Sequence, residues 1–210
     1  MLIEKGWMLP AIQFGPDDVF ILEDWDETPA GPYRAIFHFN PDDYRTLYAS
    51  TSGGSEIVSG IHRFEDENTL DIDMRRGDGE WTVEVDTGDR GILKMEIEYR
   101  ETPLLKVVNP VACYMPDIVA RSSLYCSMVP RLAGPIVGIN PKQKMAGVTE
   151  LERYSRFQIS RIFKVTKGRC TWGDKDLGSM RDCCFEHDLG DFSLTPPMKP
   201  IVSQLTLFVD

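Results

Sequence analysis

Nowhere in these 210 residues do 18 apolar residues run together. The nearest approach, SSLYCSMVPRLAGPIVGIN (122–140), is interrupted by Arg131 and two prolines, which argues against a membrane-spanning helix. The opening MLIEKGWMLP lacks a basic lead and a small-residue cleavage site, so no secretory signal is expected and the expected location is the cytoplasm. No phosphate-binding glycine loop is present: SGGS (52–55) lacks the G-x-x-x-x-G-K-[ST] spacing and reads as a flexible loop. A basic face is also missing. Residues 1–100 hold 22 Asp/Glu against 9 Lys/Arg, and the whole chain carries −10, so no nucleic-acid partner is expected.

Five cysteines without regular spacing supply no disulfide framework and fit reduced thiols. The segment CTWGDKDLGSMRDCCFEH (170–187) gathers Cys170, Cys183, Cys184 and His187. Zinc sites use spaced pairs whose side chains converge, whereas neighbours in a strand point to opposite faces, so no metal or other cofactor is expected. Buried small thiols are the favoured reading, and a cysteine nucleophile with His187 as base has no spatial argument behind it. What is present is ordinary for a single globular domain spanning 1–210: 42% hydrophobic and 27% charged residues.

Alternation punctuated by turns predicts a mainly β fold. In TLDIDMR (69–75), Leu70, Ile72 and Met74 share one face. Asp78-Gly79 then marks a hairpin, because both residues tolerate positive φ. WTVEV (81–85) and ILKMEIEY (92–99) complete a three-strand meander over 69–99. Further strands are predicted at 33–39, 155–165 and 199–209. Residues 1–30 read as an irregular segment. Residues 101–150 read as an irregular cover or interface rich in proline, with a short helix near 117–128. The expected architecture is a β-rich α+β domain whose antiparallel meanders close into a barrel-like or conical structure around a small cavity, with few short helices.

Polar residues on apolar strand faces supply candidates for a site. In SRFQISRIFKV (155–165), Arg161 shares parity with Phe157, Ile159, Phe163 and Val165. If alternation holds, it points inward and needs a carboxylate or an anionic ligand. A β-bulge would instead turn it to water, and both outcomes stay open. Arg34 and His38 share the second face of strand 33–39 with Ile36, a face that in a barrel is either the outside or the cavity. His62 and Arg63, in SGIHRF (59–64), form one of the chain's few histidine-bearing pairs; the acidic run 65–67 beside them reads as a solvated turn.

The run GPYRAIFHFNPDDYRTLYAS (31–50), then SGIHRF and the meander, resembles the acetoacetate decarboxylase-like superfamily. ELERYSRFQISRIFKV (150–165) followed by CTWG, and CFEHDLGDFSLTPPMKPIVS (184–203), are similar to that family's later strands and closing segment. The resemblance covers about residues 30–205, departs over 101–150, and leaves out the family's N-terminal portion. It implies a β-rich fold around a small-molecule cavity. In the decarboxylase itself, a cavity lysine forms an imine with a β-keto acid and accepts the electrons released as carbon dioxide leaves. The family's Pro-Lys-Lys motif is absent here, and His62-Arg63 falls on or beside its place. Neither side chain forms a productive imine with a ketone, so Schiff-base decarboxylation is not expected. Lys94 is expected to face solvent, while Lys106, Lys142 and Lys144 lie where no geometry can be argued.

Three functions remain open. One is altered small-molecule chemistry of a lyase-like kind, with His62 as acid or base, its pKa lowered by Arg63, and Arg34 or Arg161 holding a carboxylate. The second is non-catalytic binding of a small organic acid or keto compound, with Arg34, His38 and Arg161 as ligand contacts. The third is a structural or oligomer-forming protein. No nucleic-acid or membrane partner is expected, and a homo-oligomer is left open.

Overall fold

A computed structural model of the chain describes all residues except 41, 43, 121, 133, 135–143, 184–188 and 190–198. Its strands are β1 (Leu2–Phe14), β2 (Asp18–Glu27), β3 (Tyr33–Phe39), β4 (Arg45–Ala49), β5 (Asp66–Thr69), β6 (Ile72–Arg76), β7 (Glu80–Asp86), β8 (Ile92–Arg100), β9 (Ala146–Val148), β10 (Tyr154–Trp172), β11 (Lys175–Arg181) and β12 (Ile201–Val209). The helices are α1 (Ser52–Ser59), α2 (Leu105–Cys113), α3 (Asp117–Ala120) and α4 (Ser123–Leu132). The protein is mainly β. The long strands β1 and β10 are joined twice, once through β12 and once through β11, so these four form a closed circuit. From it the sheet extends through β2, β3, β4 and β5 on one side and through β8, β7 and β6 on the other.

The meander forms as its alternation predicts. Ile72, Met74, Trp81, Val83, Val85, Leu93, Met95, Ile97 and Tyr99 are all buried, and the residues between them face water. Gly79, in the predicted turn, has φ +87°, a left-handed value that glycine adopts without a Cβ clash. This face and one face of β1–β4 enclose a first core containing Leu9, Phe20, Leu22 and Ile36. The opposite face of β1–β4 carries a second core with Ile21, Phe37 and Leu47, covered by Val58 of α1 and by Ile61.

Residues 1–30 are therefore not irregular, contrary to expectation. They are two long strands, and because β1 and β2 are buried on both faces they read as continuous apolar runs without alternation. SGGS is likewise the first turn of α1 and not a flexible loop. Thr51 caps that helix by accepting from the Gly54 N–H at 3.0 Å. A Cβ on Gly54 would lie 2.6 Å from the Tyr33 ring, so α1 can approach the sheet this closely only with glycine there. Where it is described, the 101–150 segment is mostly helical. α3 and α4 straddle the predicted short helix, and α2 precedes them.

Candidate functional site

The five candidate side chains do not converge. Arg34 and His38 turn toward the first core. His38 is fully buried, its ring stacked on Phe20 at 4.9 Å and edge-on to Trp172 at 4.9 Å. Its Nε2 donates to Asp18 Oδ1 at 2.8 Å, while Nδ1 is sealed without a partner. Arg34 Nε sits 3.3 Å from Asp24 Oδ1, and Arg76 Nε donates to the other oxygen of Asp24 at 2.6 Å. The Arg76 guanidinium lies 4.6 Å over the Trp7 ring.

Arg161 does not point inward. The β10–β12 register slips between Ile159 and Arg161, so a bulge at Ser160 inverts the alternation and leaves Arg161 exposed. Ser160 Oγ donates to Gln204 O at 3.0 Å at that slip.

His62 and Arg63 follow α1 on the second-core side, where the His62 ring meets Phe37 edge-on at 6.1 Å. Phe37 and His38 are adjacent in β3 and point to opposite faces, so the two histidines are separated by the sheet. The Arg63 side chain is exposed, and its backbone N–H donates to Glu150 Oε2 at 3.0 Å. The second oxygen of Glu150 accepts from Arg45 Nη1. The His62 Nδ1 is sealed without a hydrogen bond. Burial first, and then the nearby Arg45 charge, push the His62 pKa down to about 4. The imidazole is neutral at pH 7 as expected, but the cation responsible is Arg45 and not Arg63.

A second set of groups went unread in the sequence. Glu4 and Glu23 are both buried on the second-core face of β1 and β2. Tyr33 Oη donates to Glu4 Oε1 at 2.8 Å, and Trp25 Nε1 donates to Glu23 Oε2 at 2.9 Å. Burial raises the Glu4 carboxyl to about 7, against the smaller lowering effect of the Tyr33 hydrogen bond. Burial also raises Glu23 to about 8, with the Trp25 bond lowering it and Glu4 adding to the rise. Burial and both carboxylates drive the Tyr33 hydroxyl upward, so it remains a donor. At neutral pH the pair holds at least one proton in an apolar setting, the condition under which a carboxyl can donate to or exchange a proton with an acceptor. The available signal was a carboxylate on the apolar parity of each strand: Glu4 in LIEKGWMLPAIQF, and Glu23 between Ile21 and Trp25 in DVFILEDWDE.

Beside this pair lies a cavity of about 360 Å³ beneath α2 and α4. Its wall is largely apolar, including Met8, Val108, Ala112, Met145, Phe157, Ile159 and Leu205, with Tyr125, Lys144 and Ser203 as polar exceptions. Met8 is opposite Ser203 on β12 and opposite Glu23 on β2. Paired residues share a face at about 4.8 Å strand spacing, so Glu23 stands one strand beyond the cavity wall. A larger groove of about 670 Å³ crosses the outer face of β7, β8, β10 and β11. Exposed ion pairs line it or adjoin it, among them Lys167–Glu98 at 3.1 Å and Arg169–Asp176 at 2.8 Å, and it has no buried chemistry.

Among the described residues, no group of three or more His, Cys, Asp or Glu is placed to hold a metal ion. Cys170 and Cys183 are buried, while Cys184 and His187 lie outside the described residues. No helix among the described residues is long and apolar enough to cross a membrane. Lys94 is half exposed and pairs with Glu84 at 3.0 Å.

No protein-family model matches the chain. No curated protein matches it either. Among solved structures, the acetoacetate decarboxylase of Legionella pneumophila subsp. pneumophila strain Philadelphia 1 aligns with 99% of this chain and 84% of its own, at 10% identity and a TM-score of 0.45. A second acetoacetate decarboxylase structure aligns over the same shares at 11% identity and a TM-score of 0.37. Both carry the name of the family that residues 31–50 resemble, and the chemistry of the site rests on this chain's own residues.

Proposed function

We propose that the protein binds a small carbonyl compound with an apolar tail in the cavity beneath α2 and α4, and that Glu23 and Glu4 serve its carbonyl end. One observation carries this reading: Met8 and Ser203 line the cavity, and Glu23 is the next residue across the sheet from Met8. A protonated Glu23 offers an O–H to a carbonyl oxygen, and the Glu4–Glu23 pair can give and regain a proton as an acid–base unit. The apolar wall favours a tail of several carbons over a compact dianion. An organic acid is the second reading, favoured by Lys144 as the cation in the lining. The ligand is a small molecule and not a nucleic acid, and the site of action is the cytoplasm. Imine-based decarboxylation is not part of the proposal, since His62-Arg63 stands where the family's lysine pair is expected.

Calorimetric titration with 2-heptanone, and with heptanoate as its acid counterpart, tests the reading. Wild type should bind the ketone, and Leu205→Trp, which fills the cavity, should abolish binding. Glu23→Leu should weaken the ketone about tenfold, the loss of one hydrogen bond. Preference for heptanoate would move the weight to the second reading, and failure of both ligands to bind would end both. Borohydride reduction in the presence of acetoacetate should leave the protein mass unchanged. An adduct on Lys144 would restore imine chemistry.

A further inference from the structure

β12 lays part of the floor of the cavity beneath α2 and α4, where Ile201, Ser203 and Leu205 line it in succession. Alternate residues of a strand share a face, so the serine stands midway between two aliphatic side chains, about 7 Å from each along the strand. β10 continues the apolar surface beside it: Ile162 is opposite Ser203, Ile159 is opposite Leu205, and both line the cavity. Of the three polar side chains in the lining, Lys144 is exposed and Tyr125 half-buried, whereas Ser203 is only 2% exposed. The Ser203 Oγ makes no hydrogen bond among the described residues, and unlike the Oγ of Ser155 it is not sealed from open space. Buried hydroxyls in folded proteins are nearly always bonded, and the open side of this one is the cavity.

We propose that Ser203 fixes where the functional group lies along the ligand, and that the preferred ligand is a dialkyl ketone with its carbonyl inside the chain. The inference rests on the reading that the cavity takes a carbonyl compound, and it adds the position of the carbonyl. The Ser203 hydroxyl donates to the carbonyl oxygen. The second lone pair of that oxygen stays open to Glu23, which stands in the same cross-strand row beyond Met8. One alkyl arm then runs over Ile201 and the other over Leu205 and Ile159. A methyl ketone held at Ser203 leaves one of these surfaces uncovered and forfeits the burial of that apolar area. A carboxylate there would exchange its hydration for one hydroxyl among aliphatic neighbours, which disfavours a charge.

Calorimetric titration with 4-heptanone and 2-heptanone, isomers that differ in where the carbonyl sits, tests it. Wild type should bind 4-heptanone about tenfold more tightly than 2-heptanone, a comparison that needs no variant. Ser203→Ala should abolish that preference by weakening 4-heptanone about tenfold. The variant should melt no lower than wild type, because the hydroxyl it removes has no partner among the described residues. Equal affinities in wild type, a preference for 2-heptanone, or a preference for 4-heptanone that survives Ser203→Ala would each overturn this inference and leave the proposed function standing. Failure of both ketones to bind would overturn the two together.

Discussion

The two faces of β1–β3 treat their charges in opposite ways. On the first-core face each polar group meets an opposite partner: His38 faces Asp18, and Arg34 and Arg76 flank Asp24. On the second-core face Glu4 and Glu23 have no cation among the described residues, and their hydrogen-bond donors are the neutral side chains of Tyr33 and Trp25. Matched ions hold strands together. Unmatched buried carboxyls keep protons, lowering stability once they ionise, and this is how a fold carries groups suited to proton chemistry.

The sharpest way to break this comparison is to neutralise one carboxylate on each face. Asp24→Asn leaves Arg76 beside a neutral amide inside the protein and should cost about 3 kcal/mol in urea denaturation at pH 7, as broken buried pairs do. Asp26 limits the loss, since it still approaches Arg76 at 3.3 Å. Glu23→Gln removes a carboxyl that the fold keeps protonated, so it should be near neutral at pH 4, stabilising at pH 6 and more so at pH 8. Equal costs on the two faces would erase the distinction.

Next in size is the pH profile. The Glu4 and Glu23 pKa values are raised in the fold, from 4.5 to about 7 and about 8. The native state therefore holds more protons than the unfolded chain above pH 4.5, and stability falls as pH rises through the folded values. His62 acts in the opposite direction: its folded pKa, about 4 against 6.5, makes stability fall as pH drops from 6.5 toward 4. The two effects oppose each other between pH 4.5 and 6.5. From pH 6.5 to 8 the carboxyls act alone, and each contributes a slope of up to about 1.4 kcal/mol per pH unit. Thermal melts should therefore show falling stability over that upper window, and the double variant Glu4→Gln with Glu23→Gln should flatten it.

The same contrast explains what could be read from the sequence. The meander was legible because one of its faces meets water, so Leu93, Met95, Ile97 and Tyr99 alternate cleanly with charged residues. β1 and β2 were not, because burial on both faces removes the alternation that marks a strand. The two carboxyls stood inside those runs and looked like punctuation. Gly54 looked like a loop residue because its reason for being glycine, the Tyr33 ring, is 21 residues away in sequence. The resemblance located the His62-Arg63 pair but could not show that Arg45, distant in sequence, is the charge acting on the imidazole.

A smaller effect is expected at His62. His62→Phe replaces a sealed, unpartnered Nδ1 with an apolar ring of similar shape against Phe37. Removing a buried unsatisfied group in this way should raise stability by about 1 kcal/mol, most visibly near pH 5, where the imidazole resists its proton. If His62 instead does acid–base work, the variant would lose turnover or ligand affinity without losing stability. Denaturation and ligand titration on the same sample separate the two outcomes.

The smallest effects belong to Arg63 and Arg161. Arg63 contributes to the fold through its backbone N–H to Glu150, which any residue but proline supplies, and the bulge at Ser160 turns Arg161 to water. Arg63→Ala and Arg161→Ala should each change stability by no more than about 0.5 kcal/mol and leave 2-heptanone binding unchanged. The second variant also tests the bulge. If alternation continued through Ser160, Arg161 would be a buried cation, and truncating it would change stability by several times that amount. A null result at Arg161 beside a large loss at Asp24 would show that burial and charge matching decide which arginine contacts matter here.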